Sequence, residues 1–278
     1  MSEETRNIAE ARGYKILDAK HELEGFELVD SGHIFGSKSL LIEGEIFYTS
    51  DLSIRNRAYL NGCMPKKCRA LIIEATYGQQ QFVFPSTHKI IEQTNRAIAD
   101  CYDKGLPVIL MGYPLGKAQE LTYLFSHWSP IYVHDRVYTM NWVHKHMGLD
   151  LPDGTSLSEA REKGLLEKSP WMMISPMVSR SNQLIEVLKE KYKAKTIGFS
   201  GWSLIQRYRH YLGLDYSFPL SDHCDYTELM QFVKACEPEY VYTFHGYAEE
   251  LAQSLRKLGY EAEPLKPYPK ITDYFAED

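Results

Sequence analysis

The stretch "SGHIFGSKSLLIEGEIFYTSD", residues 31–51, combines a hairpin pattern with a metal-ligand pattern. Two short apolar runs flank Gly44 and Glu45, and turn residues between two such runs predict a β-hairpin. His33 precedes the first run and Asp51 follows the second. A histidine and a carboxylate at strand ends suit a metal ion, but two ligands do not complete its coordination shell. The remaining ligands must therefore come from elsewhere.

The rest of the chain alternates strand-like and helix-like segments, which is typical of an α/β architecture. The clearest strand patterns are "RALIIEATYG", "LPVILMGY" and "YVYTFHG". The clearest helix patterns are "THKIIEQTNRAIADCYDKG" and "AEELAQSLRKLG", each closed by a glycine. The stretch "LDLPDGTSLSEAREKG", residues 149–164, is rich in turn residues and predicts a loop.

Composition excludes several classes of protein. The longest apolar runs are much shorter than a membrane span and the N-terminal stretch is charged, so we expect a cytoplasmic protein with no membrane partner. Five cysteines, an odd number, predict free thiols rather than a disulfide framework. A net charge of −6 argues against holding nucleic acid by a strong basic field, but it leaves open a nuclease whose positive charge is a bound metal.

Acidic and imidazole groups recur at the predicted strand ends. Besides His33 and Asp51, Glu74 ends "LIIEATYG", His223 lies in a loop before a helix, and His245 ends "YVYTFHG". Each residue alone has an ordinary explanation, such as a helix cap, an ion pair or a hydrogen-bonded loop residue. Because strand ends form the sites of open α/β sheets, five such groups together favour a metal-dependent site.

Seven motifs share their order with one known family: "SGHIFGS", "YTSD", "IIEATYG", "YPLGKAQEL", "PIYVH", "LSDHCDYTEL" and "YTFHG". This sequence resembles the β-CASP branch of the metallo-β-lactamase superfamily. The resemblance implies an αββα sandwich interrupted by an inserted β-CASP domain. It predicts a first hydrolase part at residues 1–84, the β-CASP domain at 85–195 and a returning hydrolase part at 196–278.

The resemblance also implies roles for the strand-end residues. His33, Asp51 and His245 match ligands of a two-zinc site, with Asp51 bridging both ions. His223 matches a histidine beside the scissile phosphate, and Glu74 matches the acid that orients it. With Asp51, these two residues form the predicted catalytic set.

The branch contains nucleases, so the predicted partner is nucleic acid. We expect metal-dependent phosphodiester hydrolysis of RNA, as in mRNA 3′-end processing factors and RNase J-like exonucleases. The alternative is a DNA exonuclease, because "LSDHCDYTEL" and the C-terminal "GYAEELAQSLRKLGYEAEPL" resemble ligase-associated enzymes. The sequence leaves RNA versus DNA, cleavage mode and oligomeric state open.

One expected motif is absent from this sequence. The family carries an early H-x-H-x-D-H cluster that supplies most of the zinc ligands, whereas His21 stands alone before His33. A late-called start, a homodimer or partner chain that supplies the motif, and a non-catalytic nucleic-acid-binding subunit each account for this. We expect an incomplete zinc site, little cleavage, and loss of the remaining metal in His245→Ala.

Two further motifs have competing interpretations. Cys63 and Cys68 in "CMPKKC" resemble a metal knuckle, but no second pair follows and free thiols explain them. "GYPLGKAQE", residues 112–120, joins a strand to a helix by a glycine-containing turn, which either meets a phosphate or simply allows the turn. Lys117 at the start of that helix opposes the helix dipole and therefore indicates an anion nearby.

Overall fold

The computed structural model describes residues 1–17 and 23–265, and its strands there form two six-stranded sheets. His21 lies outside the described residues. The strands are β1 (Phe26–Asp30), β2 (Lys38–Ile42), β3 (Ile46–Tyr48), β4 (Ala70–Glu74), β5 (Val108–Gly112), β6 (Ile131–Val133), β7 (Thr155–Ser156), β8 (Met172–Pro176), β9 (Lys195–Phe199), β10 (Tyr216–Phe218), β11 (Tyr240–Phe244) and β12 (Glu261–Pro264).

Helices cover both sheets, and none that is described is long and apolar enough to cross a membrane. The α-helices are α1 (Glu3–Ala11), α2 (Thr87–Tyr102), α3 (Lys117–Phe125), α4 (Asp135–His146), α5 (Leu157–Glu162), α6 (Gln183–Tyr192), α7 (Tyr208–Leu212), α8 (Tyr226–Cys236) and α9 (Ala248–Arg256). Two short 3-10 turns cover Leu165–Glu167 and Gly201–Leu204.

The first sheet has the strand order β1-β2-β3-β4-β11-β12 and mixes both pairings. β1, β2 and β3 pair antiparallel, whereas β3, β4, β11 and β12 run parallel. The parallel pairs bring the C-terminal ends of β3, β4 and β11 to one edge, where Tyr48 lies opposite Ile72 and Glu74 opposite Phe244. This edge carries the loops that begin after residues 48, 74 and 244.

The second sheet has the strand order β10-β9-β5-β8-β6-β7 and is entirely parallel. β5 and β8 lie in the middle and every one of their residues is buried, as expected for parallel strands covered on both faces. We call the first sheet with α8 and α9 the first lobe, and the second sheet with α2 to α6 the second lobe. The predicted boundary at residue 195 falls on the first residue of β9, a strand of the second lobe.

Each lobe has its own apolar core. In the first lobe, Phe47 and Leu71 from the sheet pack with Phe232 of α8 and Leu255 of α9. In the second lobe, one face of the sheet packs against α2 and α3. The other face packs against α5 and α6 through a second apolar cluster that contains Trp171. Separate cores make each sheet a rigid support for the loops that it carries.

The predicted α/β class is confirmed, and so is the hairpin around Gly44, formed by β2 and β3. The predicted loop at residues 149–164 is wrong in part, because it contains β7 and α5. Ser156 caps α5 by accepting a hydrogen bond from the Glu159 amide at 3.2 Å. That cap satisfies a free amide at the helix start and outweighs the turn residues before it.

Candidate metal centre

The loop after β1 places His33 at the edge of the first sheet. Gly32 adopts φ +70°, and a Cβ there would lie 2.1 Å from the Ser53 carbonyl oxygen. A side chain at position 32 would therefore push the two loops apart. The Ser53 amide also donates to the Ser31 carbonyl at 3.0 Å, which ties the His33 loop to the segment after Asp51.

The ring of His33 is oriented by one hydrogen bond. Its Nδ1 lies 3.3 Å from the backbone carbonyl oxygen of Asp222, so Nδ1 carries the proton and donates it to that carbonyl. The other nitrogen, Nε2, then presents a lone pair, and it lies 3.6 Å from Oδ2 of Asp51. The side chain of His33 is 15% exposed and that of Asp51 is 48% exposed, so the pair opens to solvent on the carboxylate side.

His223 and Glu74 form a second, more deeply buried pair. Nδ1 of His223 lies 2.8 Å from Oε1 of Glu74, at the last residue of β4. Glu74 is fully buried and also accepts hydrogen bonds from the amides of Leu52 at 2.8 Å and Thr76 at 3.1 Å. A carboxylate held by these donors fixes the orientation of His223 and directs its Nε2 away from Glu74.

The electrostatics of the two histidines differ. Burial lowers the pKa of His33 below its ordinary value, and the neighbouring His223 lowers it further. Burial alone would lower the pKa of His223 too, but the Glu74 carboxylate raises it above the ordinary value. For Glu74, burial favours the neutral acid, yet His223 and the donated hydrogen bonds hold the pKa below its usual range. His33 is thus kept neutral, whereas His223 is suited to carry a proton.

The ligand atoms of His33, Asp51 and His223 all lie within 4.8 Å of one another, and we call these residues the acceptor cluster. Two lone-pair atoms 3.6 Å apart repel each other unless a cation lies between them. Two ligands about 2.1 Å from a tetrahedral zinc ion are separated by about 3.4 Å, close to the spacing found here. The donor set and its spacing therefore fit zinc or a similar divalent metal.

His245 takes a different place from the one expected of a third ligand. It directly follows β11 with φ +63°, is exposed, and lines the same cavity as His33 and His223. It does not join the acceptor cluster, where His223 stands instead. The structure therefore links four of the five predicted residues through neighbouring side chains, in the order Asp51, His33, His223 and Glu74, and His245 lies outside this set.

The cavity has a volume of about 340 Å³ and lies between the two lobes. Its walls include Tyr77, Tyr113 and Trp202, which sequence reasoning did not single out. Trp202 and Tyr77 pack with ring centroids 4.8 Å apart, and Tyr113 is 51% exposed. A larger cavity of about 530 Å³ lies in the second lobe beside Arg180, but among the described residues the potential metal ligands meet only in the smaller one.

A set of buried charges lies directly behind the acceptor cluster, and we call it the buried charge cluster. Its side chains are at most 7% exposed. Its members are Arg57, Lys117, Glu120 and Asp222. The anion that Lys117 led us to expect is thus supplied by the protein itself. Lys117 was the one indication of this cluster in the sequence, because Arg57 and Asp222 are distant from it along the chain.

Comparison with known proteins places these features in a wider context. Residues 216–264, which run from β10 to β12 and contain His223 and His245, match the family model described as "Zn-dependent metallo-hydrolase RNA specificity domain". A protein of Opitutus terrae named "Probable DNA ligase" is 34% identical over 209 residues, which cover 72% of this chain and 19% of that protein. The chain thus spans about a fifth of that relative.

A solved structure has the same fold. It is a protein of unknown function from Enterococcus faecalis V583, with a TM-score of 0.58 and 16% sequence identity. The match covers 96% of this chain and 73% of the other. The likeness therefore extends over both lobes.

Proposed function

We propose that this chain, which belongs to the β-CASP-like metallo-β-lactamase family, hydrolyses phosphodiester bonds in DNA with the help of a divalent metal. The family model supports a nucleic-acid-directed metallo-hydrolase. DNA is favoured because the match to the protein named "Probable DNA ligase" extends over 209 residues, far more than the matched RNA specificity domain. The observation that carries the proposal is the convergence of His33, Asp51 and His223 within 4.8 Å at the wall of the cavity.

His33 and Asp51 would hold the metal. His33 offers Nε2 because Nδ1 is engaged with the Asp222 carbonyl, and Asp51 offers a carboxylate that is open to solvent. A divalent cation bound there supplies Lewis-acid stabilisation for the negative charge that develops on the phosphate during displacement. His245 lines the same cavity as His33 and His223.

His223 would protonate the departing oxygen. Its Nδ1 is held by Glu74, so the proton that it can deliver lies on Nε2, which faces away from Glu74. The raised pKa of His223 supports this role, since a general acid must hold its proton at working pH. Water adds to phosphorus and releases a proton to solvent while the ester bond breaks. His223 gives its proton to the departing oxygen, which becomes the hydroxyl group of the product, and His223 then regains a proton from solvent.

RNA is the second candidate substrate, favoured by the description of the family model at residues 216–264. The two candidates differ by the 2′-hydroxyl group, which a protein can contact directly. The same active-site residues would act on either polymer, so the distinction lies in the walls of the cavity.

The test is cleavage of labelled single-stranded DNA and RNA of the same sequence, with zinc or manganese added in turn. Cleavage by wild-type protein, which the incomplete ligand set predicts to be slow, should be faster on DNA than on RNA, should need metal, and should be lost in His33→Ala. Equal or faster cleavage of RNA would make RNA, the second candidate, the proposed substrate instead of DNA. Strand binding without metal uptake or cleavage would contradict a nuclease and leave a nucleic-acid-binding subunit.

A further inference from the structure

The buried charge cluster joins the two lobes. Arg57 follows the first-sheet hairpin, whereas Lys117 and Glu120 lie in the first turn of α3 in the second lobe. Nη1 of Arg57 lies 2.8 Å from Oε2 of Glu120 and 3.5 Å from Oδ1 of Asp222. Lys117 contacts the same two carboxylate oxygens. Two cations and two carboxylates balance each other away from solvent.

This balance excludes a phosphate-binding role for Lys117. Its side chain is 1% exposed and its amine already contacts two carboxylates, so it has no uncompensated charge to offer. A phosphate would have to displace one of them. Removing one partner from such a buried set leaves an unpaired charge.

The cluster reaches the candidate metal site through Asp222. The carboxylate of Asp222 is held by Lys117, and the backbone carbonyl of Asp222 accepts the Nδ1 proton of His33 at 3.3 Å. From the other side, Nη2 of Arg57 donates to the carbonyl oxygen of Gly32 at 3.0 Å and also to that of His33. The loop that carries His33 is therefore held by both cations.

The start of α3 also approaches the His33 loop closely. Gly116, the residue before α3, adopts φ +85°, and a Cβ there would lie 2.2 Å from Cγ2 of Ile34. Glycine is needed for this approach both by conformation and by space. The contact puts Lys117 within reach of Asp222, so the position of α3 and the position of His33 are coupled.

We propose that Lys117 is a positioning residue for the candidate metal centre: it holds Asp222 from the second lobe so that the Asp222 carbonyl keeps Nε2 of His33 directed toward Asp51. A hydrogen bond to the second ring nitrogen of a metal-binding histidine fixes its tautomer and orientation, and its loss typically lowers metal affinity about 10–100-fold. This inference rests on the proposed function, because the orientation of His33 matters most if the acceptor cluster binds metal.

The test compares Lys117→Met with Glu120→Gln. Both substitutions remove one charge from the buried charge cluster, but Glu120→Gln leaves the contact between Lys117 and Asp222 in place. Where Lys117→Met alone does not fold, the double variant Lys117→Met with Glu120→Gln restores the charge balance. Asp222→Asn provides an independent break of the same contact, because it removes the carboxylate and keeps the backbone carbonyl.

Two measurements distinguish a positioning role of Lys117 from a general loss of protein stability. Zinc affinity, measured by competition with a chromophoric chelator, should fall about 10–100-fold in the Lys117 and Asp222 variants and stay within about threefold in Glu120→Gln. In metal-free protein, nitrogen-15 NMR of the His33 ring should show the Nδ1–H tautomer in wild type and Glu120→Gln, and a mixture of tautomers in the other variants.

A folded Lys117 variant with wild-type zinc affinity and the Nδ1–H tautomer of His33 would overturn the inference. Equal losses of affinity in Glu120→Gln would also overturn it, since the effect would then follow from lost stability. If instead the proposed function is wrong, wild-type protein should take up no zinc. In that case the tautomer of His33 still decides whether Lys117 positions the ring.

Discussion

Two clusters of charged and polar groups lie side by side, and they differ in how far their charges are compensated within the protein. In the acceptor cluster, His33 and Asp51 present lone pairs beside the ring of His223, and the carboxylate of Asp51 is about half exposed. The buried charge cluster pairs two cations with two carboxylates and is almost sealed from solvent. A balanced buried set can maintain a shape, whereas neighbouring acceptors without a cation of their own are suited to bind one.

The largest effect should come from His33→Ala. This substitution removes a lone pair that no other described group of the acceptor cluster replaces, so zinc binding and metal-dependent cleavage should fall below detection. Stability should change by about 1 kcal/mol or less, since the side chain makes one polar contact with the backbone. Zinc titration and thermal melting measure both. Full zinc binding in the folded variant would show that the metal lies elsewhere.

His223→Gln separates the two roles open to His223. As a general acid, its loss should lower kcat about 10²–10⁴-fold with zinc affinity almost unchanged. A parallel fall in zinc affinity would instead make it a metal ligand. Glu74→Gln is the matched variant, because it keeps the shape of the partner and removes the charge that raises the pKa of His223. Its kcat should fall less than that of His223→Gln.

Arg57→Ala tests the balanced cluster. It leaves Glu120 and Asp222 sharing one cation in the interior, so the free energy of unfolding should fall by about 3–5 kcal/mol. Asp51→Asn, in the acceptor cluster, should change it by no more than about 0.5 kcal/mol. Chemical denaturation of both variants gives the comparison. Equal losses of stability would remove the distinction between the two clusters.

Strand-end reasoning named residues that the fold brings close together, for a physical reason. Glu74 ends β4 and His245 follows β11, and parallel pairing of these strands brings their C-terminal ends together. The buried charge cluster escaped this reasoning because Arg57 and Asp222 are separated by 165 residues. The spacing of residues in the sequence predicts contacts within one helix or strand, whereas this cluster is formed by packing between the two lobes.

Two sequence details, Lys117 and the pair Ser156 and Glu159, indicated local structural requirements. Lys117 at the start of α3 indicated an anion, and the structure supplies it as protein carboxylates rather than phosphate. Ser156 followed three residues later by Glu159 is a helix-start pattern, and it predicts α5 within the supposed loop. The start of α5 could therefore be predicted from the local sequence alone, whereas the contact of Lys117 with Asp222 depends on the fold.

His245→Ala should have a smaller effect than His33→Ala. The sequence predicted that this substitution would abolish metal binding, whereas the structure places His245 at the rim of the cavity and outside the acceptor cluster. We expect zinc affinity to fall about tenfold, as for a residue that supports the site from outside it. Isothermal titration with zinc measures the change, and complete loss of binding would return His245 to the ligand set.

The smallest effect should come from Arg6→Ala, which serves as a control for charge removal. Arg6 pairs with Glu10 on the exposed face of α1 at 3.0 Å, and both side chains are more than 40% exposed. Such pairs contribute about 0.3–0.5 kcal/mol, so stability should change little and zinc affinity not at all. A change in zinc affinity here would mean that metal binding responds to net charge rather than to the two clusters.

The most direct test of the account is anomalous diffraction from crystals of the protein grown with zinc, recorded on both sides of the zinc absorption edge. We expect a peak at the acceptor cluster, about 2.0–2.2 Å from Nε2 of His33 and from a carboxylate oxygen of Asp51. Zinc bound elsewhere, or no peak at this cluster under conditions that saturate the protein in solution, would contradict it.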